Sequence, residues 1–138
     1  MLFGITGFHP QGSRLKQAKE AAISIINSLV HTDTVALVSF SSLARSPNTV
    51  LVQATDSYRA SMIVDVQKME PNGKTYYNKA MDLAFDIVSK SRSEDLPYKL
   101  GCNTVFLFLT DGNPTEEEEV TLQTTIGTYT KVLMLSRS

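Results

Sequence analysis

The chain has 138 residues, 42% of them hydrophobic and 20% charged, with a net charge of −1. That length suits one domain with a buried core, and the near-neutral charge gives no broad attraction to nucleic acid or anionic lipid. No apolar run approaches the roughly 20 residues needed to span a bilayer, and the mildly apolar start, Met1–Phe8, carries no basic segment of the kind a secretory signal has. The single cysteine, Cys102, has no partner within the chain. It reads as a small apolar filler, a free thiol, or half of a bridge to something outside this segment.

Taken in chain order, the first strong signal is a helix. Ser13 is its expected cap, and Leu15, Ala18, Ala22, Ile25 or Ile26, and Leu29 recur at helical spacing. His31-Thr32-Asp33 breaks it, with His31 expected to interact with the helix end. Thr34–Phe40 is nearly all apolar and reads as a buried strand. Ser41–Asn48 is polar, contains Pro47 and reads as a loop, followed by a strand over Thr49–Gln53. Asp56 or Ser57 is expected to cap a second helix with Tyr58, Met62, Val66 and Met69 on one face. Pro71-Asn72-Gly73 ends it in a tight loop. A third helix carries Tyr77, Ala80, Met81, Ala84, Phe85 and Val88 on one stripe. Ser91–Gly101 reads as a charged, mobile loop. Asn103–Thr110 is the most hydrophobic strand and is expected at the sheet centre. Asp111–Thr115 is a turn, Glu116–Thr124 an expected short helix with carboxylates at its positive end, and Lys131–Leu135 the last strand.

Strands alternating with helices predict an α/β fold, a mainly parallel sheet with helices on both faces. In such a sheet ligands bind outside the carboxyl ends of the strands. Three polar stretches are expected there: Ser41-Ser42, Gly73-Lys74-Thr75 and Asp111-Gly112. Asp111 follows an apolar strand directly, where a carboxylate needs water, a partner or a cation, or else caps a turn through backbone amides. Carboxylate, hydroxyl and water ligands suit Mg²⁺ or Ca²⁺ better than zinc.

Four blocks in order then carry a resemblance. Arg14–Ala22 and Asp33–Phe40 resemble the first helix and second strand of von Willebrand factor A-type domains. Gly73-Lys74-Thr75-Tyr76-Tyr77 with Ala80 and Ala84-Phe85 resembles that family's threonine loop and the helix after it. Val105–Gly112 resembles its central strand and metal-site aspartate. The loop before Cys102 and the character of the helices look most like the A domains of calcium-channel alpha-2-delta subunits and their cache-domain relatives. The resemblance implies a single, partial A-type domain over residues 1–138, Rossmann-like, with the first strand and last helix incomplete or missing. Leu2–Thr6 is expected either to form a short substitute for the first strand or to leave that strand absent.

The family's metal-ion-dependent adhesion site uses an Asp-x-Ser-x-Ser loop plus one Thr and one Asp. By the resemblance Thr75 and Asp111 take the last two roles, and Mg²⁺ or Ca²⁺ is the implied ion. Ile5, Gly7 and His9 fall at the three positions of the Asp-x-Ser-x-Ser loop, and they replace one carboxylate and two hydroxyls. Ion binding is therefore expected to be weak or absent. The implied function is a non-enzymatic protein-binding or adhesion module, with Ser42, Lys74, Tyr76 and Asn113 as expected ligand contacts. The alternative is a degenerate structural domain, packed against neighbouring domains of a larger membrane-associated protein, with no metal or ligand. The chain has no Gly-x-Gly-x-x-Gly, P-loop or nucleophile elbow. An extracellular or membrane-associated parent is expected over a cytoplasmic one, with protein and not nucleic acid as partner.

Overall fold

The computed structural model describes residues 2–6, 12–70, 76–97, 104–110 and 132–136. Its elements are β1 (Leu2–Thr6), α1 (Gly12–Ser28), β2 (Thr34–Phe40), β3 (Ala44–Arg45), β4 (Val52–Gln53), α2 (Asp56–Gln67), α3 (Tyr77–Ser93), β5 (Phe106–Thr110) and β6 (Val132–Ser136). The strands form one sheet in the order β3-β2-β1-β5-β6, with β4 also paired to β2. Of the two alternatives for Leu2–Thr6, the strand holds. β1 lies between β2 and β5 and runs parallel to both, with Gly4 opposite Val38 and Phe108. β6 continues the parallel set beside β5.

The alternation of side chains along β2 and β5 divides the interior into two cores. Ala36, Val38 and Phe40 of β2 and Phe106 of β5 meet Tyr77, Ala80, Met81, Ala84 and Ile87 of α3 on one face. Val35 and Leu37 of β2 and Leu107 and Leu109 of β5 meet Ala22 and Ile26 of α1 and Met62 and Val66 of α2 on the other. A period of two along a strand sends successive residues to opposite faces, and a nearly unbroken apolar run is what a strand covered on both sides requires. Helices thus lie on both faces, as the α/β pattern predicts.

Several local expectations are corrected. α1 begins at Gly12, so Ser13 lies inside its first turn and not at the cap. Its far end closes differently from the expected histidine contact. Asp33 accepts a bond from the Val30 amide at 2.9 Å, while the Asp33 amide bonds back to the Val30 carbonyl. The Leu29 carbonyl takes its partner from Arg59 of α2, at 2.8 Å, and His31 is exposed beside it. α2 is capped by Thr55, one residue before the predicted Asp56; Thr55 is extended (φ −65°, ψ 160°) and its hydroxyl accepts from the Tyr58 amide. That is the geometry a cap needs, and a threonine hydroxyl supplies it as well as a carboxylate.

The polar stretch 41–48 contains β3, which pairs antiparallel with the end of β2, Phe40 opposite Ala44. The strand expected over Thr49–Gln53 shrinks to β4, antiparallel to the start of β2 with Thr34 opposite Gln53. One segment therefore returns along the outer edge of β2 in two short pairings, which blunts an edge that a longer strand would leave open. β5 begins at Phe106 and not Asn103, yet it is an interior strand. β6 runs one residue later than predicted. The expected helix at Glu116–Thr124, and Cys102, lie outside the described residues.

Ser91 is the largest departure. α3 runs to Ser93, so Ser91 sits in its last turn rather than in a loop, and it is 1% exposed. Its hydroxyl donates to the Ile87 carbonyl at 2.6 Å and accepts from the Leu51 amide at 2.7 Å. The chain leading into β4 is thereby fastened to α3 through one buried oxygen. A buried amide left without an acceptor costs about 1–3 kcal/mol. We predict that Ser91→Ala lowers stability by about that amount in urea unfolding. Thr55→Ala, which removes a cap at the exposed start of α2, is predicted to cost about 1 kcal/mol in the same measurement. Neutrality of Ser91→Ala would contradict the fastening.

Candidate functional site

The parallel strands place their carboxyl ends along one rim. Thr6, the last residue of β1, is in register with Phe40, the last of β2, and Thr110 of β5 with Ser136 of β6. β1 is the strand from which the chain leaves toward β2 on one side, while β5 lies on the other. The crevice between β1 and β5 is thus the point where the winding of the sheet reverses, the usual place for a ligand in this class of sheet.

The described part of the rim is built by the turn after β2 and the start of α3. Ser41, Ser42 and Leu43 turn the chain from β2 into β3, with the Ser41 amide bonded to the Leu43 carbonyl at 2.9 Å. The Tyr76 amide donates to the Ser41 carbonyl at 3.1 Å, and the Tyr77 ring packs on Phe40 at 5.6 Å between centroids. These two contacts fasten the amino end of α3 to the carboxyl end of β2. Lys79 crosses between the same two pieces. Its Nζ donates to the Ser42 carbonyl at 3.1 Å and lies 4.8 Å from the centre of the Tyr76 ring. A cation over an aromatic face adds an electrostatic attraction to the hydrogen bond.

Of the sequence-predicted ligand contacts, Ser42 and Tyr76 are brought together, with Lys79 bridging them. Lys74, Thr75, Asp111 and Asn113 lie outside the described residues, as do Gly7 and His9. Tyr76 and Thr110, the described neighbours in sequence of Thr75 and Asp111, respectively cap α3 at the rim and end β5 there. Lys79 is a residue the sequence reading missed. Its signal was the spacing of three from Tyr76, which sets two residues on the same side of a helix.

The resemblance implies an incomplete donor set for a divalent cation at this rim. Mg²⁺ and Ca²⁺ take a shell of about six to eight oxygens. Ile5, at the position where the resemblance requires the first carboxylate, stands inside β1 opposite Ser39 and Leu109. A hydrocarbon side chain has no lone pair to offer. Among the described residues no group of three or more His, Cys, Asp or Glu converges on a point.

Comparison with known proteins agrees with this architecture. A family model described as von Willebrand factor type A domain matches residues 5–113. Inter-alpha-trypsin inhibitor heavy chain H4 of Bos taurus is 34% identical over 107 residues, which is 78% of this chain and 12% of that protein. Heavy chain H1 of Sus scrofa is 31% identical over 106 residues, 77% of this chain and again 12% of the relative. The chain therefore spans about an eighth of these relatives, which are inhibitor heavy chains and do not carry the likeness to calcium-channel subunits. Among solved structures, a von Willebrand factor type A protein from Catenulispora acidiphila superposes with a TM-score of 0.78 at 22% identity, over 99% of this chain and 32% of that one. Proximal thread matrix protein 1 of the mussel byssus, in a form whose adhesion-site motif is occupied by zinc, gives 0.63 at 15% identity, over 98% and 34%. With the model match covering most of its length, the chain belongs to the von Willebrand factor type A domain family.

Proposed function

We propose that this domain is a non-enzymatic protein-binding module that recognises its partner at the rim formed by the carboxyl ends of β1, β2 and β5, and that it binds divalent ions weakly or not at all. The observation that carries the reading is the fastening of Ser41-Ser42 to Tyr76 and Lys79. It fixes the described part of the rim, the turn after β2 against the start of α3. A preorganised polar surface is what protein recognition needs, because ordering loops at the moment of binding costs affinity. Thr75 and Asp111 are the residues that would contribute oxygens to any ion, with Lys74 and Asn113 as further contacts to the partner. With Ile5 in place of a carboxylate, Mg²⁺ or Ca²⁺ would lack its charged anchor. An extracellular or membrane-associated parent fits the kind of protein in which such modules are joined to other domains. No helix among the described residues is long and apolar enough to cross a membrane.

A structural role without ligand is the second reading, and Ile5 is the observation that favours it. Photocrosslinking in the full-length parent separates the two. A benzoylphenylalanine placed at Ser42 is predicted to form adducts with a separate protein, while one placed at His31, at the opposite end of β2, is not. Adducts confined to the parent's own domains from both positions would support the structural role and contradict rim recognition.

The metal claim has its own readout. Millimolar Mg²⁺ or Ca²⁺ is predicted to leave the melting temperature within about 1 °C of its value in EDTA, whereas a working site at 100-fold excess over its Kd would stabilise by about 2.7 kcal/mol, on the order of 10 °C for a domain this size. A rise of that order would overturn it.

A further inference from the structure

We infer that a cleft at the outer edge of the sheet, between β3 and the end of α2, binds a free amino acid through both of its charged groups. The cleft has a volume of about 320 Å³, and Leu37, Arg45, Ser46, Asp65, Lys68 and Met69 are among the residues that line it. That volume falls at the lower end of the range of small-molecule sites, roughly 300–1,000 Å³. The cleft is separate from the rim. Leu37 packs on the face of β2 that α1 and α2 cover, whereas the turn at the rim is fastened to α3, on the other face. Ser39 shares the face of Leu37 by the two-residue period of the strand and lies opposite Arg45 in the pairing of β2 with β3. Arg45 therefore projects toward α2, as a cross-strand partner of Ser39 must.

The charged groups at the cleft have both signs and do not neutralise one another. Asp65 is half-buried, while Arg45 and Lys68 are exposed. Among the described residues none of the three forms an ion pair. Asp65 and Lys68 are three residues apart, the spacing at which Asp56 and Arg59 of the same helix do pair. The cleft thus holds a carboxylate and two cations apart across a small space, which is the arrangement a dipolar ligand requires. Asp65 would take the ammonium of the amino acid, and Arg45 and Lys68 its carboxylate. The Ser46 hydroxyl accepts from the Asn48 amide at 3.1 Å, which leaves its own proton to donate to the same carboxylate. Leu37 at the floor and half-buried Met69 supply an apolar surface for the ligand's side chain. A purely anionic ligand would be repelled by Asp65 and a purely cationic one by Arg45 and Lys68. A zwitterion with a short apolar side chain meets all three groups. The inference goes beyond the reading of the rim and does not depend on it.

The test titrates free L-leucine into the ¹⁵N-labelled chain and follows amide chemical shifts. N-acetylleucine, which lacks the ammonium, and leucinamide, which lacks the carboxylate, are the paired probes. Leucine at millimolar concentration is expected to shift Ser39, Arg45, Ser46, Asp65 and Met69 together and to leave Ser42 and Tyr76 in place. Each blocked form is expected to bind about tenfold more weakly, as loss of one charge-assisted hydrogen bond does. Asp65→Asn, and the double variant Arg45→Gln with Lys68→Gln, are each expected to weaken leucine binding by about three- to tenfold. The blocked ligands need no substitution, so they decide the question even where a variant does not fold. Four results overturn the inference: no shift with leucine, shifts centred outside the cleft, unchanged affinity in either folded variant, or a blocked form that binds as tightly as leucine. In the last case the cleft takes a single charge, an anion if N-acetylleucine is the equal and a cation if leucinamide is. Recognition at the rim is reported separately by the crosslinking from Ser42.

Discussion

The double burial of β2 and β5 is the constraint on which the rest of the structure depends. Ala36, Val38 and Phe40 can meet α3 while Val35 and Leu37 meet α1 and α2 only if the strand is covered on both faces. Covering both faces calls for helices that return the chain to start each strand from the same end, so the paired strands run parallel. Parallel strands in turn bring all their carboxyl ends to one side. The rim is thus a consequence of how hydrophobic residues are spaced, before any polar residue is considered. β1 sits in the middle of this arrangement although Leu2–Thr6 is short and holds a glycine. Its backbone groups complete the ladders of β2 and β5, which would otherwise carry unpaired donors and acceptors in the interior.

At the rim, the residues proposed for recognition are also held by contacts between two elements. The Tyr76 amide on Ser41, the Tyr77 ring on Phe40 and the Lys79 ammonium on Ser42 are each small contributions, but all act between the end of β2 and the start of α3. The mussel matrix protein of the same fold has a zinc-occupied site, and an ion there can tie loops from different strands together. In the present chain hydrogen bonds and a cation over a ring hold the described loops.

Much of this was legible in the residues. The apolar runs of β2 and β5 and the stripe Tyr77, Ala80, Met81, Ala84, Val88 specified a doubly covered sheet, because buried strands and amphipathic helices leave distinct periods. The order of four blocks specified the family. What escaped the reading was governed by contacts distant in sequence. β3 and β4 are two residues each, too short for a periodic signal, and exist because β2 offers its edge to them. Ser91 looked like the start of a polar loop because its partner, the Leu51 amide, lies 40 residues earlier. Thr55 was passed over for Asp56 or Ser57 because all three residue types cap helices and backbone conformation decides between neighbours. Lys79 resembled any solvated lysine, since its acceptor at Ser42 is 37 residues away. The positions of Ser42 after a strand and Tyr76 before a helix followed from topology alone.

The central claim is that β1, β2, β5 and the start of α3 converge on one rim, which we propose lacks the first carboxylate of the family's cation site. The most direct measurement restores what is missing. The triple variant Ile5→Asp, Gly7→Ser, His9→Ser, labelled with ¹⁵N, would be titrated with Mn²⁺, whose unpaired electrons broaden nearby amide signals. The account predicts that broadening begins together at Thr6, Ser41, Tyr76 and Thr110 in the variant and is absent from these amides in the parent sequence at the same ion concentration. A folded variant in which Mn²⁺ broadens amides at the opposite end of the strands, or leaves these four unequal and scattered, would contradict the account.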